Sequence, residues 1–181
     1  IRRYPPRELA RRIAYLPQSH TSPADIDIRT LVSYGRYPSN TFGAGLTAED
    51  RDIIDGTLEL TGLSHMGGRL LNNLSGGEKQ RAWIAMTICQ QPEILLLDEP
   101  ITYLDVGYQI EVLELVRELC SRLHITIVMV LHDMNFTARY SDWVYVLKQG
   151  RVFDHGRPDS ILVRDTMKEV FHIDSQNIRA N

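Results

Sequence analysis

An α/β fold on a parallel sheet is what this 181-residue sequence predicts, and three observations carry the prediction. The runs "EILLLD" at 93–98 and "ITIVMVLHD" at 125–133 are apolar throughout instead of alternating, the pattern of parallel strands covered on both faces. Helix-like segments, "SGGEKQRAWIAMTICQQ" and "VGYQIEVLELVRELCSRL", alternate with these strands. Between the first strand-like run and this alternating part lies a polar stretch rich in glycine and proline that reads as a helical insert.

In chain order, "PPRELARR" predicts a short helix with prolines at its start, and "IAYLPQ" a strand stopped by Pro17, which leaves Gln18 in the following loop. Within the insert, "TAEDRDIIDGTLELTGL" has the spacing of an amphipathic helix, with Thr47 as cap and Asp50 at the capping-box position. The helix from 106 to 123 is expected to bury Ile110, Leu113, Val116 and Cys120. "DWVYVLKQGRVFDHG" predicts a strand pair turning at Gly150, with short helical segments after it. The expected organisation is the end of an N-terminal core part over 1–18, a helical subdomain over 19–90, the C-terminal part of the core over 91–160 and a helical tail over 161–181.

The composition narrows the function classes. A hydrophobic content of 43% suits one globular core. The net charge of −3, from 20 basic and 23 acidic residues without long runs, provides no electrostatic footprint for nucleic acid or an anionic membrane. Cys89 and Cys120 are isolated in helix-like stretches, so they form neither a disulfide framework nor a metal cluster. The longest apolar run, "ITIVMVL", is too short to span a bilayer, so membrane association is expected only through a partner. The chain starts Ile1-Arg2-Arg3 without an initiator methionine, and a fragment is expected.

Chemistry concentrates in four places. Asp98 ends a strand where open α/β sheets present ligands and suits Mg²⁺ on a triphosphate, while Glu99 can polarise water; such a pair is also common as a cap or surface loop. Ser75, Gly76 and Gly77 open a helix, where N–H groups, a hydroxyl and the dipole suit a phosphate oxygen, or where serine is an ordinary cap. His132 ends an apolar strand and, taken alone, is more often structural than catalytic; Gln18, taken alone, is a turn residue.

In order, Gln18, "LSGGE" at 74–78, "ILLLDEP" at 94–100, "YLD" at 103–105 and "VLHD" at 130–133 resemble the nucleotide-binding domain of ATP-binding-cassette transporters from about residue 8 to residue 160. "LSGGE" is similar to that family's signature, "ILLLDE" to its Walker B strand, Asp105 to the end of its D-loop, His132 to its switch histidine and Gln18 to its Q-loop. "TLVSYGRYPSN", "QRAWIAM", "TYLDVGYQIEVLELV" and "VLHDMNFTARYSD" look most like importers of ferric siderophores, with haem and cobalamin importers as relatives. The resemblance implies a P-loop NTPase, RecA-like core with a helical signature subdomain, working with ATP and Mg²⁺ at the cytoplasmic face of the membrane. It implies Asp98 and Gln18 at the metal, Glu99 as general base, His132 at the γ-phosphate, and Ser75, Gly76, Gly77, Glu78 and Asp105 acting across a dimer with a second copy. Transmembrane permease subunits, indirectly a substrate-binding protein, and no nucleic acid are the implied partners. The segment from Gln18 to Pro38 and the insert are expected to receive the permease, with Asp25 and Arg36 as exposed test positions.

Glu78 stands where that family commonly has Gln, and Ile101 where it often has Thr. A larger departure is the phosphate loop G-x-x-x-x-G-K-[ST]. Of Lys79, Lys148 and Lys168, none follows such a frame, and in the decoy "GLSHMGGR" at 62–69 Gly68 holds the lysine's place. The phosphate-loop strand is therefore expected to be missing from the sheet, between "ITIVMVL" and "WVYVL", and the chain alone is expected neither to bind nor to hydrolyse ATP and to be poorly stable. The competing readings are a soluble cassette ATPase acting on DNA or ribosomes and a nucleotide-blind fragment that binds a partner.

Overall fold

The computed structural model describes residues 4–21, 25–39, 45–163, 166, 169 and 170. The chain divides into two compact units, the first running to Val130 and the second starting at Leu131.

The first unit opens with α1 (Pro6–Arg12), where proline at the start costs nothing because that N–H has no helical partner, and continues into β1 (Ile13–Leu16). β1 pairs in parallel with β2 (Ile94–Asp98), and β2 with β3 (Thr126–Val130), in the order β1-β2-β3. The parallel α/β arrangement expected from the apolar runs is present. β2 buries Leu95 and Leu97, but Val128 and Val130 of β3 are 53% and 47% exposed. The expectation of two-sided cover is therefore corrected for β3, whose outer edge pairs with no other strand among the described residues.

The helical part is built from α2 (Ile28–Ser33), α3 (Ala48–Leu60) and α4 (Gly76–Cys89). Thr47 and Asp50 form the expected capping box at the start of α3: Thr47 Oγ1 accepts from Asp50 N at 3.1 Å, and Asp50 Oδ2 accepts from Thr47 N at 2.9 Å. α2 is an element that the turn-rich composition hid. Asp27 caps it by accepting from Thr30 N at 2.7 Å, and it buries Ile28, Leu31 and Val32. These pack with Ile54, Leu58, Leu63, Leu71, Ala82 and Cys89 into one apolar cluster.

A 3₁₀ turn at Tyr34–Arg36 presses this cluster shut. A Cβ on Gly35 would stand 2.3 Å from the Met86 carbonyl oxygen, so only glycine lets the turn lie against the end of α4. Arg36, expected at the surface, is 6% exposed. Its Nε donates to Asp50 Oδ1 at 2.9 Å and its Nη1 to Cys89 O at 2.9 Å and Gln91 Oε1 at 3.2 Å. The guanidinium thus joins the first turn of α3 to the last turn of α4, and charge reversal there would probe folding instead of docking. Asp25 is exposed as expected.

α5 (Val106–Leu123) buries Val112, Leu113, Leu115, Val116 and Leu119, whereas Ile110 is 37% exposed. Of the two adjacent apolar stripes on this helix, packing selects the one centred between Leu115 and Val116. His124, at φ 52°, ends the helix in the left-handed conformation.

The second unit holds α6 (Met134–Tyr140), capped by Asp133, the antiparallel pair β4 (Val144–Lys148) and β5 (Arg151–Gly156), and α7 (Pro158–Ile161). Gln149 and Gly150, at φ 49° and 74°, make the two-residue turn that the glycine announced, both central residues being left-handed as this tight hairpin requires. Val144, Val146 and Ile161 form its core. Most of the expected helical tail over 161–181 lies outside the described residues. No helix among the described residues is long and apolar enough to cross a membrane.

Candidate functional site

Parallel pairing in the register Leu16↔Leu97 delivers the carboxyl ends of β1 and β2 to the same edge of the first unit. Pro17 stops β1, and Gln18 reaches across so that its Nε2 donates to Glu99 Oε2 at 2.6 Å. Three residues earlier, Tyr15 faces away from the buried Ala14 and Leu16, and its hydroxyl donates to Asp98 Oδ2 at 3.1 Å. That hydrogen bond, which loses its donor on ionisation, is the main reason the Tyr15 phenol is raised above its ordinary pKa. Thr102 Oγ1 also donates to Glu99 Oε2, at 2.9 Å. Glu99 itself has φ 49°, a left-handed backbone uncommon outside glycine. Residues 18, 98 and 99, separated by about eighty positions, are thus brought together as an acidic cluster with amide and hydroxyl donors.

The second cluster surrounds the start of α4. Ser75 Oγ accepts from Glu78 N at 3.3 Å, and Glu78 Oε2 accepts from Ser75 N at 2.8 Å, a reciprocal capping box. The Ser75 backbone bond, with the Ser75 side chain and nearby arginines, holds the Glu78 carboxyl below its ordinary range. Accepting from Glu78 uses the serine's lone pair, while its O–H is a separate donor. A Cβ on Gly76 would meet Leu104 Cδ2 at 3.3 Å, and one on Gly77 would meet Tyr108 Cδ1 at 2.3 Å. The two glycines therefore pack directly on the segment carrying Asp105, whose carboxylate accepts from Tyr108 N at 3.1 Å and caps α5. Gly77→Ala is expected to lower stability by about 1–3 kcal/mol, because the Tyr108 ring must be displaced. Urea unfolding checks it: in the Tyr108→Ala background the same substitution should cost much less, and equal costs in both backgrounds would refute the contact.

The loop after Gln18 is tied to α4 as well. The His20 ring lies 4.5 Å from that of Trp83, and burial there lowers the imidazole pKa. His132 belongs to the second unit, exposed on the approach to Asp133, which accepts from Asn135 N at 2.7 Å and Phe136 N at 3.0 Å to cap α6.

Tyr15, Thr102, Tyr108 and His20 were not singled out by the sequence reading. Thr102 carried a legible signal, since a hydroxyl three residues after Glu99, across Pro100, suits a turn that folds back on the carboxylate.

The donor set at the end of β2 is of hard oxygens, two carboxylates and an amide, which suits Mg²⁺ held jointly with phosphates. The described residues contain no group of three or more His, Cys, Asp or Glu that could hold a metal ion by themselves. The fit is therefore to a metal that arrives with a phosphate ligand.

Residues 1–102 match the family described as ABC transporter. The chain is 44% identical over 167 residues to the petrobactin import ATP-binding protein FpuC of Bacillus anthracis, covering 92% of this chain and 61% of that protein. It is 42% identical over 170 residues to the iron(3+)-hydroxamate import ATP-binding protein FhuC of Bacillus subtilis, covering 94% of this chain and 63% of that one. A chain from an inward-facing structure of metal-chelate ABC transporter type superposes with a TM-score of 0.84 at 27% identity, over 89% of this chain and 64% of that chain. The sequence thus spans somewhat under two thirds of the length of the curated relatives it matches.

Proposed function

Since the chain belongs to the ABC transporter family, we propose that it serves in an ATP-binding, ATP-hydrolysing subunit that energises import of an iron complex, a ferric siderophore being the favoured cargo, and that these 181 residues, which contain no phosphate loop, are inactive alone. The observation that carries the reading is the convergence of Gln18 on Glu99, beside Asp98, at the carboxyl ends of two parallel strands. The cargo rests on the similarity to a petrobactin import ATP-binding protein and an iron(3+)-hydroxamate import ATP-binding protein. The expected organisation by segments, with the helical part as the signature subdomain, belongs to the same proposal.

Phosphoryl transfer needs charge neutralisation and positioning more than covalent chemistry. Mg²⁺ bound with the nucleotide would neutralise phosphate charge, and Asp98 and Gln18 are the residues to hold it. Glu99 accepts the proton of the attacking water, and Gln18, donating to Glu99 Oε2 at 2.6 Å, orients that carboxylate and links it to the permease side. His132 contacts the γ-phosphate. Ser75, Gly76 and Gly77 present the start of α4 to the nucleotide of a second copy, with Glu78 holding the cap and Asp105 facing the same partner. With transmembrane permease subunits as docking partners, the protein sits peripherally at the cytoplasmic face of the membrane, and a substrate-binding protein supplies the cargo.

Uptake of radiolabelled ferric hydroxamates and catecholates by a gene-deletion strain tests this. Loss of uptake of at least one class, restored by the wild-type gene, is expected. Unchanged uptake of every ferric siderophore together with a purified protein that hydrolyses no ATP beside its permease would sink it.

A further inference from the structure

The turn after β2 points to an additional residue of the same site. We infer that Thr102 is a positioning residue that aims the Glu99 carboxylate for proton abstraction; this rests on the reading of Glu99 as the general base.

Residues 99–102 form a β-turn in which Thr102 N donates to Glu99 O at 3.2 Å, with Pro100 supplying the fixed φ that position prefers. The turn is anchored from below, because Pro100 and Ile101 are buried and Gln109 Nε2 donates to Ile101 O at 3.4 Å. On this closed turn Thr102 acts twice. Its N–H holds the main chain of Glu99, whose φ of 49° persists only where the surroundings impose it, and its hydroxyl holds the carboxylate, Oγ1 to Oε2 at 2.9 Å. Gln18 donates to that same Oε2 at 2.6 Å from the neighbouring strand's loop. One carboxylate oxygen is thus fixed from two directions, by a donor in its own turn and by one on a separate, exposed loop. Without the Gln18 contact, the Thr102 hydroxyl would still set the direction of the carboxylate.

The experiment compares Thr102→Val, which keeps the shape and removes the donor, with Thr102→Ser, which keeps the donor, and with Glu99→Gln, all in a form of the protein that also carries a phosphate loop, reconstituted with its permease. Thr102→Val is expected to lower kcat by about tenfold, the scale of one hydrogen bond to a charged group, while KM for ATP stays within about twofold, since a group acting through the base contributes to the transition state and not to nucleotide binding. Thr102→Ser is expected to recover most of the kcat. If Glu99→Gln abolishes turnover but Thr102→Val has the kcat of the wild type, the inference alone is overturned. A kcat loss that Ser does not recover, or one matched by a large rise in KM, also overturns it by making Thr102 merely structural. Wild-type turnover of Glu99→Gln removes the base assignment beneath both readings.

Discussion

In a form of the protein that also carries a phosphate loop, Glu99→Gln is expected to cut steady-state ATP hydrolysis by at least about a hundredfold, the scale of a general base, while Mg-ATP binding is retained. The amide has the size of the carboxylate, and its oxygen can still accept from Gln18 Nε2 and Thr102 Oγ1, which hold Glu99 Oε2 at 2.6 and 2.9 Å. The local geometry is therefore preserved, and what disappears is the ability to take a proton from water. Binding without turnover should trap the closed pair of copies. Phosphate release, a nucleotide titration and sizing with and without Mg-ATP measure the three consequences on one preparation. Hydrolysis near the wild-type rate would rule Glu99 out as the base, whatever its position at the end of β2.

The second large effect concerns folding. Arg36→Ala is expected to destabilise the helical part by about 3–5 kcal/mol, the cost of leaving one member of a buried ion pair without the other. Asp50 is 3% exposed, and Arg36 also donates to Cys89 O at the end of α4. Replacing both by apolar residues, Arg36→Met with Asp50→Leu, should cost less than the first change alone, because no charge is then stranded; the loss of the α3 cap remains. The pair also has a pH signature. The Thr47 backbone N–H, then Arg36 and the Thr47 hydroxyl, outweigh burial and hold the Asp50 carboxyl down to about 2 from 3.8. A depressed folded-state value means that the unfolded chain binds the proton first, so the contribution is complete above 3.8 and is lost as pH falls through that value towards about 2. Thermal melts across this acid window should therefore decline more gently for Asp50→Asn than for the wild type. Parallel slopes would show that Asp50 does not carry the acid limb.

Much of the site was legible because its motifs are local. Asp98 and Glu99 follow a short apolar run that suits a buried strand, Ser75 and Glu78 stand at capping-box spacing, and the order of Gln18, signature, carboxylates and His132 points to one family. The elements with strong period or strong caps, α1, α3, α4, α5 and the β4–β5 hairpin, were equally readable. α2 was not, since six residues bracketed by turns carry too little periodicity, and its stability comes from Ile28, Leu31 and Val32 packing on distant helices. Nor did anything near Arg36 in the chain reveal that its partners would be Asp50, Cys89 and Gln91.

By itself, then, the sequence determined the residue types at the site, the caps that start its helices and the family to which they belong, because these depend on spacings within a few residues and on the order of such short motifs along the chain. Only the tertiary structure decided which donors meet which acceptors. Tyr15 finds Asp98 and Gln18 finds Glu99 across about eighty residues because β1 and β2 pair in one parallel register, and a shift by one residue would turn Tyr15 to the opposite face. The same holds for Gly77, whose missing side chain has meaning only against the Tyr108 ring that occupies its place. Contacts of this kind are set by the burial of apolar surface over the whole unit, and no short stretch of chain contains that information.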